Sequence, residues 1–164
     1  MHETQQDLER LQGLLDQSHA RAGSHLRSIF SEERRASAAE IADRMTGVRI
    51  ISLATVTSGG EPRVGPVDGL FYRGRFHFGT SEEAVRIRNI RRNPAVSAAY
   101  TEGEQFAVIV HGNAVELDRT DPGNEGFWEY CREVYPDWDQ WASESPYAVV
   151  VADRAFSFVH DPDG

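Results

Sequence analysis

The sequence predicts a mainly β fold with helical additions, in the form of a small barrel of six antiparallel strands. Six short segments rich in β-branched and aromatic residues are separated by turn signals. Most connections are short, which favours antiparallel pairing, and helical patterns stand at the chain start and between strands. The 164 residues, 40% of them hydrophobic, suit one barrel domain (36–164) preceded by an N-terminal helical extension (1–35).

Two helices are predicted before the first strand. Leucines recur at helical spacing between residues 8 and 15, and Gly23 is expected to interrupt this helix. In the second helix Ser37 can act as the N-cap and Glu40 as its capping-box partner, and Gly47 ends the run. The first helix is expected to pack on the core or on a partner subunit.

The first strands follow directly. Residues 48–56 are rich in β-branched side chains and apolar on both faces, which is typical of a strand covered on both sides. Residues 63–80 are predicted to form a hairpin that turns near Arg73-Gly74. Pro66 lies within its first arm, and a proline there indicates a sheet edge or a bulge.

A helix is then predicted from Thr80 to Arg92. Thr80 followed by Glu83 has the spacing of a capping box, and Asn93-Pro94 is a stop signal. Because Gly79 precedes this helix, its N-terminus is expected directly after a strand.

The remaining chain predicts two strands, a helix and a closing strand or pair of strands. The strands cover 95–101 and 106–117, with a bend at Gly112. Residues 125–138 have the pattern of a short amphipathic helix. Residues 147–160 complete the barrel.

The charge distribution points to a discrete anionic ligand. The formal net charge is −9, yet residues 45–100 carry +4 while residues 101–164 carry −11. A broadly basic surface would be needed for nucleic acid, so a nucleic-acid binder is disfavoured. All 17 basic residues are arginine, which excludes a lysine Schiff base or lysine general base.

Other function classes are excluded by composition. A single cysteine, Cys131, excludes an internal disulfide framework and a cysteine-rich zinc site, and it is expected to be a partly buried thiol and not a nucleophile. The sequence lacks an apolar run of the roughly 18 residues that a membrane span needs, and its start does not resemble a secretory signal. We therefore expect a cytoplasmic protein without a membrane partner.

The segment from Phe78 to Pro94 concentrates four arginines in seven residues and allows two interpretations. A helix N-terminus after a glycine favours phosphate, and Arg86 could fold back onto such a phosphate. Alternatively, Glu82 and Arg86 form an ordinary i,i+4 ion pair on a solvated face. Spacing alone leaves both interpretations open.

Further polar candidates are weaker. His77 and His111 lie in apolar strands without ligand partners at metal spacing, so structural histidines and no metal site are expected. Asp68 is an acid in an apolar hairpin arm, which fits a turn, a barrel mouth or a polar site residue. The chain shows no pattern of catalytic side chains, so no catalytic residue is assigned.

Three ordered stretches carry a family resemblance: ISLATVTSGGEPRVGPV, GRFHFGTSEEAVRIRNIRRNPAVSAAY and FAVIVHGNAVEL. They resemble the pyridoxamine 5′-phosphate oxidase-like flavoproteins, including their flavin and deazaflavin oxidoreductase branch, over about residues 37–117. The resemblance implies a split β-barrel of the FMN-binding type that forms a homodimer. FMN, or alternatively the deazaflavin F420, would lie between the subunits, making 36–164 a flavin-binding domain.

The resemblance also implies where this cofactor lies. The ring system would run beside one hairpin arm, the ribityl chain and phosphate would meet a strand end, and Arg86 alone of the four arginines would hold the phosphate. The implied cofactor-binding residues are Arg63, Pro66, Val67, Asp68, Gly79, Thr80, Ser81, Val85 and Arg86.

Departures from the family pattern bear on the reaction. Genuine pyridoxamine 5′-phosphate oxidases carry an arginine and a lysine near the positions of Gly65 and Leu70 and an Arg- and Trp-bearing tail, and this chain has neither feature. We therefore expect an FMN- or F420-dependent oxidoreductase that transfers hydride to or from an unidentified small molecule, and not a vitamin B6 oxidase. The alternative is a non-catalytic protein of the same fold that binds flavin, haem or another tetrapyrrole.

Overall fold

The computed structural model describes residues 2–142 and 144–160 of the chain. The strands in these residues are β1 Val48–Val56, β2 Pro62–Tyr72, β3 Arg75–Gly79, β4 Ala95–Glu102, β5 Phe106–Glu116 and β6 Tyr147–Val159. The helices are α1 Gln5–Ala20, α2 Ser24–Ile29, α3 Ala38–Arg44, α4 Val85–Arg92, α5 Glu125–Val134 and α6 Trp138–Trp141. No helix in the described ranges is long and apolar enough to cross a membrane.

The six strands close into an antiparallel barrel in the order β1-β2-β3-β6-β5-β4. Closure is made by β1 and β4, where Ser52 lies opposite Ala99 and Ala54 opposite Ser97. Closure is incomplete at one place, because residues 62–68 of β2 pair with β1 but not with β3. The predicted six-stranded antiparallel barrel with helical additions is confirmed.

Alternate side chains of the strands point into the barrel and fill it. Phe76 and Phe78 on β3 are 1% and 0% exposed and lie in the same apolar cluster as Ile51 and Val67. Full burial of such a side chain stabilises the fold by about 1.5–3 kcal/mol relative to its exposure. The intervening residues of β2 and β3 face outward and are available for a site.

Helix α1 packs on the barrel. Leu11 and Leu15 are buried in the barrel cluster, and the Ser18 hydroxyl accepts a hydrogen bond from the Ala155 backbone N–H at 2.9 Å. A capping box between Thr4 and Asp7 begins the helix. The N-terminal helix therefore contributes side chains to the same core as the strands.

The sheet edge predicted at Pro66 and the bend predicted at Gly112 are both present. Pro66 lies where β2 is paired only with β1, so its missing N–H removes no ladder bond on the open side. At Gly112 the pairing of β5 with β6 shifts register, and a Cβ there would lie 2.1 Å from the Val151 carbonyl oxygen. Only glycine permits that close approach.

The predicted start of α4 is wrong by five residues. Thr80 still belongs to the strand end, because its N–H donates to the Pro146 carbonyl at 3.0 Å. Ser81, and not Thr80, accepts from the Glu83 N–H, which makes a local turn instead of a capping box. The helix begins at Val85 after Ala84, an N-cap residue that makes no side-chain hydrogen bond.

The helix predicted over 125–138 is broken in two. Tyr135 has extended backbone angles, φ −120° and ψ 100°, and separates α5 from α6. Pro136 explains the break, because a proline forces the preceding residue out of the helical region. The break takes the Tyr135 side chain out of the helical series and places it beside Asp68 on β2 and Tyr147 on β6.

Candidate functional site

The candidate site lies on the outer face of β2, β3 and β6, beneath α5 and α6. A second apolar cluster fills this space. Its aromatic members lie within one contact network, with Trp128 and Trp138 stacked at a centroid distance of 5.9 Å. The cluster attaches the two helices to the barrel and leaves a cavity at one end.

That cavity measures about 250 Å³. It is lined by Asp68, Gly79, Thr80, Ser81, Tyr135, Ser145 and Tyr147. Four of the nine residues that the family resemblance implied for cofactor binding are in this list. They come from the middle of β2 and the end of β3, which the hairpin brings side by side.

Asp68 and Tyr135 form the polar centre of the cavity. Burial and the neighbouring Asp68 carboxylate raise the pKa of Tyr135 well above its ordinary value, and the Tyr135 hydroxyl is hydrogen-bonded to that carboxylate. The phenol is therefore neutral near pH 7, and its O–H donates a hydrogen bond to the Asp68 carboxylate. The pair offers a ligand one carboxylate and one phenol at adjacent positions.

The opposite wall is mostly backbone. Gly79 pairs with Tyr147, and a Cβ at position 79 would lie 2.8 Å from the Tyr147 ring. The Tyr147 hydroxyl accepts from the Trp138 indole N–H at 3.0 Å, and burial raises its pKa. Glycine at position 79 therefore lets the ring pack flat against the strand, next to Thr80 and Ser81.

Arg86 reaches the backbone of β2 two residues before Asp68, and its guanidinium lies on the Gly65 side of the strand, opposite the Asp68 side chain. Its Nη1 donates to the Pro66 carbonyl at 3.1 Å, and a Cβ at Gly65 would be 3.6 Å from its Nη2. Pro66 and Asp68 are two residues apart, roughly 7 Å along a strand. Asn89 fixes the helix on β1 through a buried bond to the Thr55 hydroxyl at 3.1 Å, which holds Arg86 in place.

The charge of Arg86 is not neutralised by the described residues, among which none of the carboxylates pairs with it. The ion pair expected between Glu82 and Arg86 is replaced by one between Glu82 and Arg91. Arg91 also binds Glu116, at 2.7 Å, and so lies between two carboxylates. Arg88 donates to the Glu83 carbonyl on the exposed side.

The remaining implied residues lie outside the cavity. Arg63 is exposed and paired with Glu61 at 2.8 Å. Val67 points into the barrel and is 6% exposed, so its side chain faces away from the cavity. Val85 is 55% exposed at the start of α4. Their contacts to a cofactor stay predictions.

Sequence reasoning missed three lining residues: Tyr135, Ser145 and Tyr147. They are far from β2 and β3 in the chain. Tyr147 and the adjacent Ser145 reach the cavity through the pairing of β3 with β6, and Tyr135 reaches it from the end of α5. Arg119 holds this segment by donating to the carbonyls of Ala142 and Ser145. The one local signal was an aromatic residue directly after Pro146 at a strand start.

His77, His111 and Cys131, the weaker candidates, are held by contacts within the protein. His77 is buried, its Nδ1 lies 3.1 Å from the Arg75 carbonyl, and burial lowers its pKa to about 3. His111 is bonded to the Ser97 hydroxyl at 2.7 Å. Burial raises the pKa of the Cys131 thiol to about 12. Across residues 2–142 and 144–160 no cluster of histidine, cysteine and acidic residues could hold a metal.

Comparison with known proteins decides the family. The model of the family described as pyridoxamine 5′-phosphate oxidase matches residues 37–155, more than half of the chain. The chain belongs to the pyridoxamine 5′-phosphate oxidase family. The match includes β1 to β5 and most of β6. None of the curated proteins matches.

Solved structures share this family's fold. A conserved hypothetical protein of Mycobacterium tuberculosis is 24% identical, with a TM-score of 0.64 over 81% of this chain and 95% of its own. A FAD-binding protein of Mesorhizobium loti is 22% identical, with a TM-score of 0.60 over 76% and 93%. The haem storage protein HutZ of Vibrio cholerae is 18% identical, with a TM-score of 0.62 over 74% and 92%. Different ligands are therefore named for proteins of one fold.

Proposed function

We propose that this protein is a flavin- or deazaflavin-dependent oxidoreductase that acts on a small molecule, with FMN as the cofactor and F420 as the alternative. The observation that carries the proposal is Arg86. It is a cation with no carboxylate partner among the described residues, it is fixed against β2, and it lies in the first turn of a helix without a side-chain cap. An anionic group such as a phosphate complements these three features.

The chain's residues fit such a cofactor. Arg86 and the N–H groups at the start of α4 would hold the phosphate, and Gly79, Thr80 and Ser81 would line the path of the ribityl chain. The unpaired edge of β2, from Arg63 to Asp68, would run beside the ring. Gly65 has no side chain and leaves space beside the Arg86 guanidinium. A Cβ at position 65 would lie 3.6 Å from Arg86 Nη2.

The bound flavin or deazaflavin would supply hydride chemistry, which explains why catalytic side chains are not required. The protein's own part is orientation and electrostatics. The neutral Tyr135 hydroxyl donates its hydrogen bond to Asp68, so the two residues present hydrogen-bond acceptors at the cavity wall. Backbone N–H groups on the open side of β2 would favour negative charge on a reduced ring.

A second copy of the chain would complete the site. On the outer faces of β1 and β2, Ile50 is 59% and Val64 is 73% exposed, and Pro66 stands between Val64 and Asp68 on the same face. Large apolar side chains exposed on neighbouring strands mark an interaction surface. We propose that this face forms the homodimer contact and places the partner beside Arg86 and β2.

The proposal is tested by parallel titration of the purified protein with FMN and with F420, followed by flavin fluorescence or absorbance. One of the two is expected to bind, and Arg86→Ala is expected to bind it at least tenfold more weakly, the loss of roughly 1.4 kcal/mol or more that a charge-assisted contact supplies. Arg92→Ala is the matched control, since it removes an exposed arginine from the same helix.

Three outcomes would contradict the proposal. Arg86→Ala could bind as tightly as the wild type, or neither cofactor could bind at all. Alternatively, haem could bind and give a Soret band while both flavin-type cofactors fail. Turnover with reduced cofactor and quinone acceptors then separates an enzyme from a carrier.

A further inference from the structure

A second cavity lies at the other end of the same barrel face. It measures about 250 Å³ and is enclosed by α1, the turn between β2 and β3, and the segment leading into α5. Along β3, Arg75 beside this cavity and Gly79 beside the candidate cofactor site are four residues apart, roughly 13 Å. The two cavities are therefore separate.

Three arginines converge on this second cavity. Arg10 comes from α1, while Arg73 and Arg75 flank the hairpin glycine. Arg10 donates to the Arg73 carbonyl at 2.5 Å, which fixes α1 against the hairpin turn. Asp7 is the one acid in the lining, so the lining carries a formal charge of +2 in a chain of −9.

The Asp7 carboxylate already forms an ion pair with Arg10. Asp7 binds Arg10 Nη1 at 2.9 Å and accepts bonds from Thr4, and although its burial acts in the opposite direction, these bonds hold its pKa below the ordinary value. Arg73 is exposed, and its guanidinium carbon lies 5.5 Å from the centre of the Tyr72 ring. Neither of the two hairpin arginines has an acidic partner among the described residues.

Arg75 is the least compensated of the three. Its side chain is half-buried, and burial followed by the nearby charge of Arg10 lowers its pKa, with Asp7 only partly offsetting them. Two guanidinium groups held close together in a partly buried site repel each other, unless an anion lies between them. A bound anion would relieve this repulsion and use the free donors of Arg75.

The N-terminus of α5 adds positive electrostatic potential to this cavity. Gly123 and Asn124 line the cavity immediately before the helix begins at Glu125, so the positive end of the helix dipole is directed toward it. The Glu125 carboxylate is paired with Arg132 at 3.3 Å. The helix end therefore reinforces the arginine cluster.

We propose that this arginine cavity binds a small doubly charged oxyanion, of the class of phosphate monoesters and dicarboxylates. A dianion matches the +2 of the lining, and the volume admits a small molecule and not a polymer. The site is independent of the proposed flavin site, because none of its residues lines that cavity.

The test is isothermal titration of the full chain with inorganic phosphate at pH 8, where phosphate is mainly doubly charged, and with sodium acetate and sodium chloride at matched ionic strength. Phosphate is expected to bind and to raise the unfolding temperature more than either monovalent salt does. Arg75→Gln should weaken phosphate binding at least tenfold. Arg92→Gln, which removes one distant exposed arginine, should bind as the wild type does.

A second variant guards against a folding defect. Arg73→Gln changes an exposed side chain and is expected to fold normally and to weaken phosphate binding by a smaller factor. Without added anion, Arg75→Gln should unfold at the wild-type temperature or above, since it removes the repulsion with Arg10. Equal phosphate binding by Arg75→Gln and the wild type would overturn the proposal, as would stabilisation by chloride equal to that by phosphate.

Discussion

Gly79 lies directly against the ring of Tyr147, so that a Cβ at position 79 would come within 2.8 Å of Tyr147 Cζ. The same tyrosine accepts a hydrogen bond from Trp138. The packing of β3, β6 and α6 around the candidate cavity therefore depends on the absence of one methyl group.

Gly79→Ala is expected to destabilise the fold by about 1–3 kcal/mol, because the ring or the strand must move. Urea unfolding measures the difference. The control is Gly13→Ala on the exposed side of α1, where a Cβ meets no atom within 4 Å. That change should stabilise the protein by about 0.5–1 kcal/mol through helix propensity. Equal stability of Gly79→Ala and wild type would show that the ring is not held as described.

Tyr135 predicts a loss of stability in alkali. Burial and the Asp68 carboxylate raise its pKa above the ordinary value of 10.0. The Tyr135 pKa is higher in the folded state than in the unfolded state, so the neutral phenol stabilises the fold. This stabilisation is present below about pH 10 and is lost as the pH rises through the folded pKa. Urea midpoints from pH 8 to 11 should fall less steeply for Tyr135→Phe than for wild type. Parallel curves would count against the hydrogen bond to Asp68.

Cys131 is expected to be unreactive in the native protein. Its side chain is 0% exposed and burial raises the pKa to about 12, so roughly one thiol in ten thousand is ionised at pH 8. Alkylation by iodoacetamide at pH 8 should be at least 100-fold slower in buffer than in 8 M urea. Since the chain has one cysteine, mass spectrometry assigns the product without ambiguity. Similar rates in both solvents would refute the burial.

Val64 tests the proposed dimer face. A charge placed on an apolar contact surface is costly to bury, so Val64→Glu should convert the dimer into a monomer at micromolar concentration. Sedimentation velocity measures this change. Ile29→Glu is the control, because Ile29 is also exposed, at 41%, but lies on α2 away from the barrel face. A wild-type chain that sediments as a monomer would exclude the dimer outright.

Most of the fold could be predicted from the sequence because its signals are local. The strand 48–56, the hairpin turn at Arg73-Gly74 and the α3 capping box are each set by residues close together in the chain. Errors arose where a distant contact replaced a local one. Thr80 has the spacing of a helix cap, yet its N–H donates to the carbonyl of Pro146, which is distant in sequence and directly precedes the neighbouring strand β6.

For the candidate site, the sequence by itself determined the residue types available: the glycine, threonine and serine after β3, an acid in the β2 arm and a concentration of arginines. Only the tertiary structure decided which of these arginines reaches β2, since Arg91 lies between Glu82 and Glu116 while Arg86 donates to the Pro66 carbonyl. It also brought Tyr135 to Asp68 and three arginines to one cavity. The physical reason is that barrel closure joins segments distant in sequence, and ion pairing depends on distances in space.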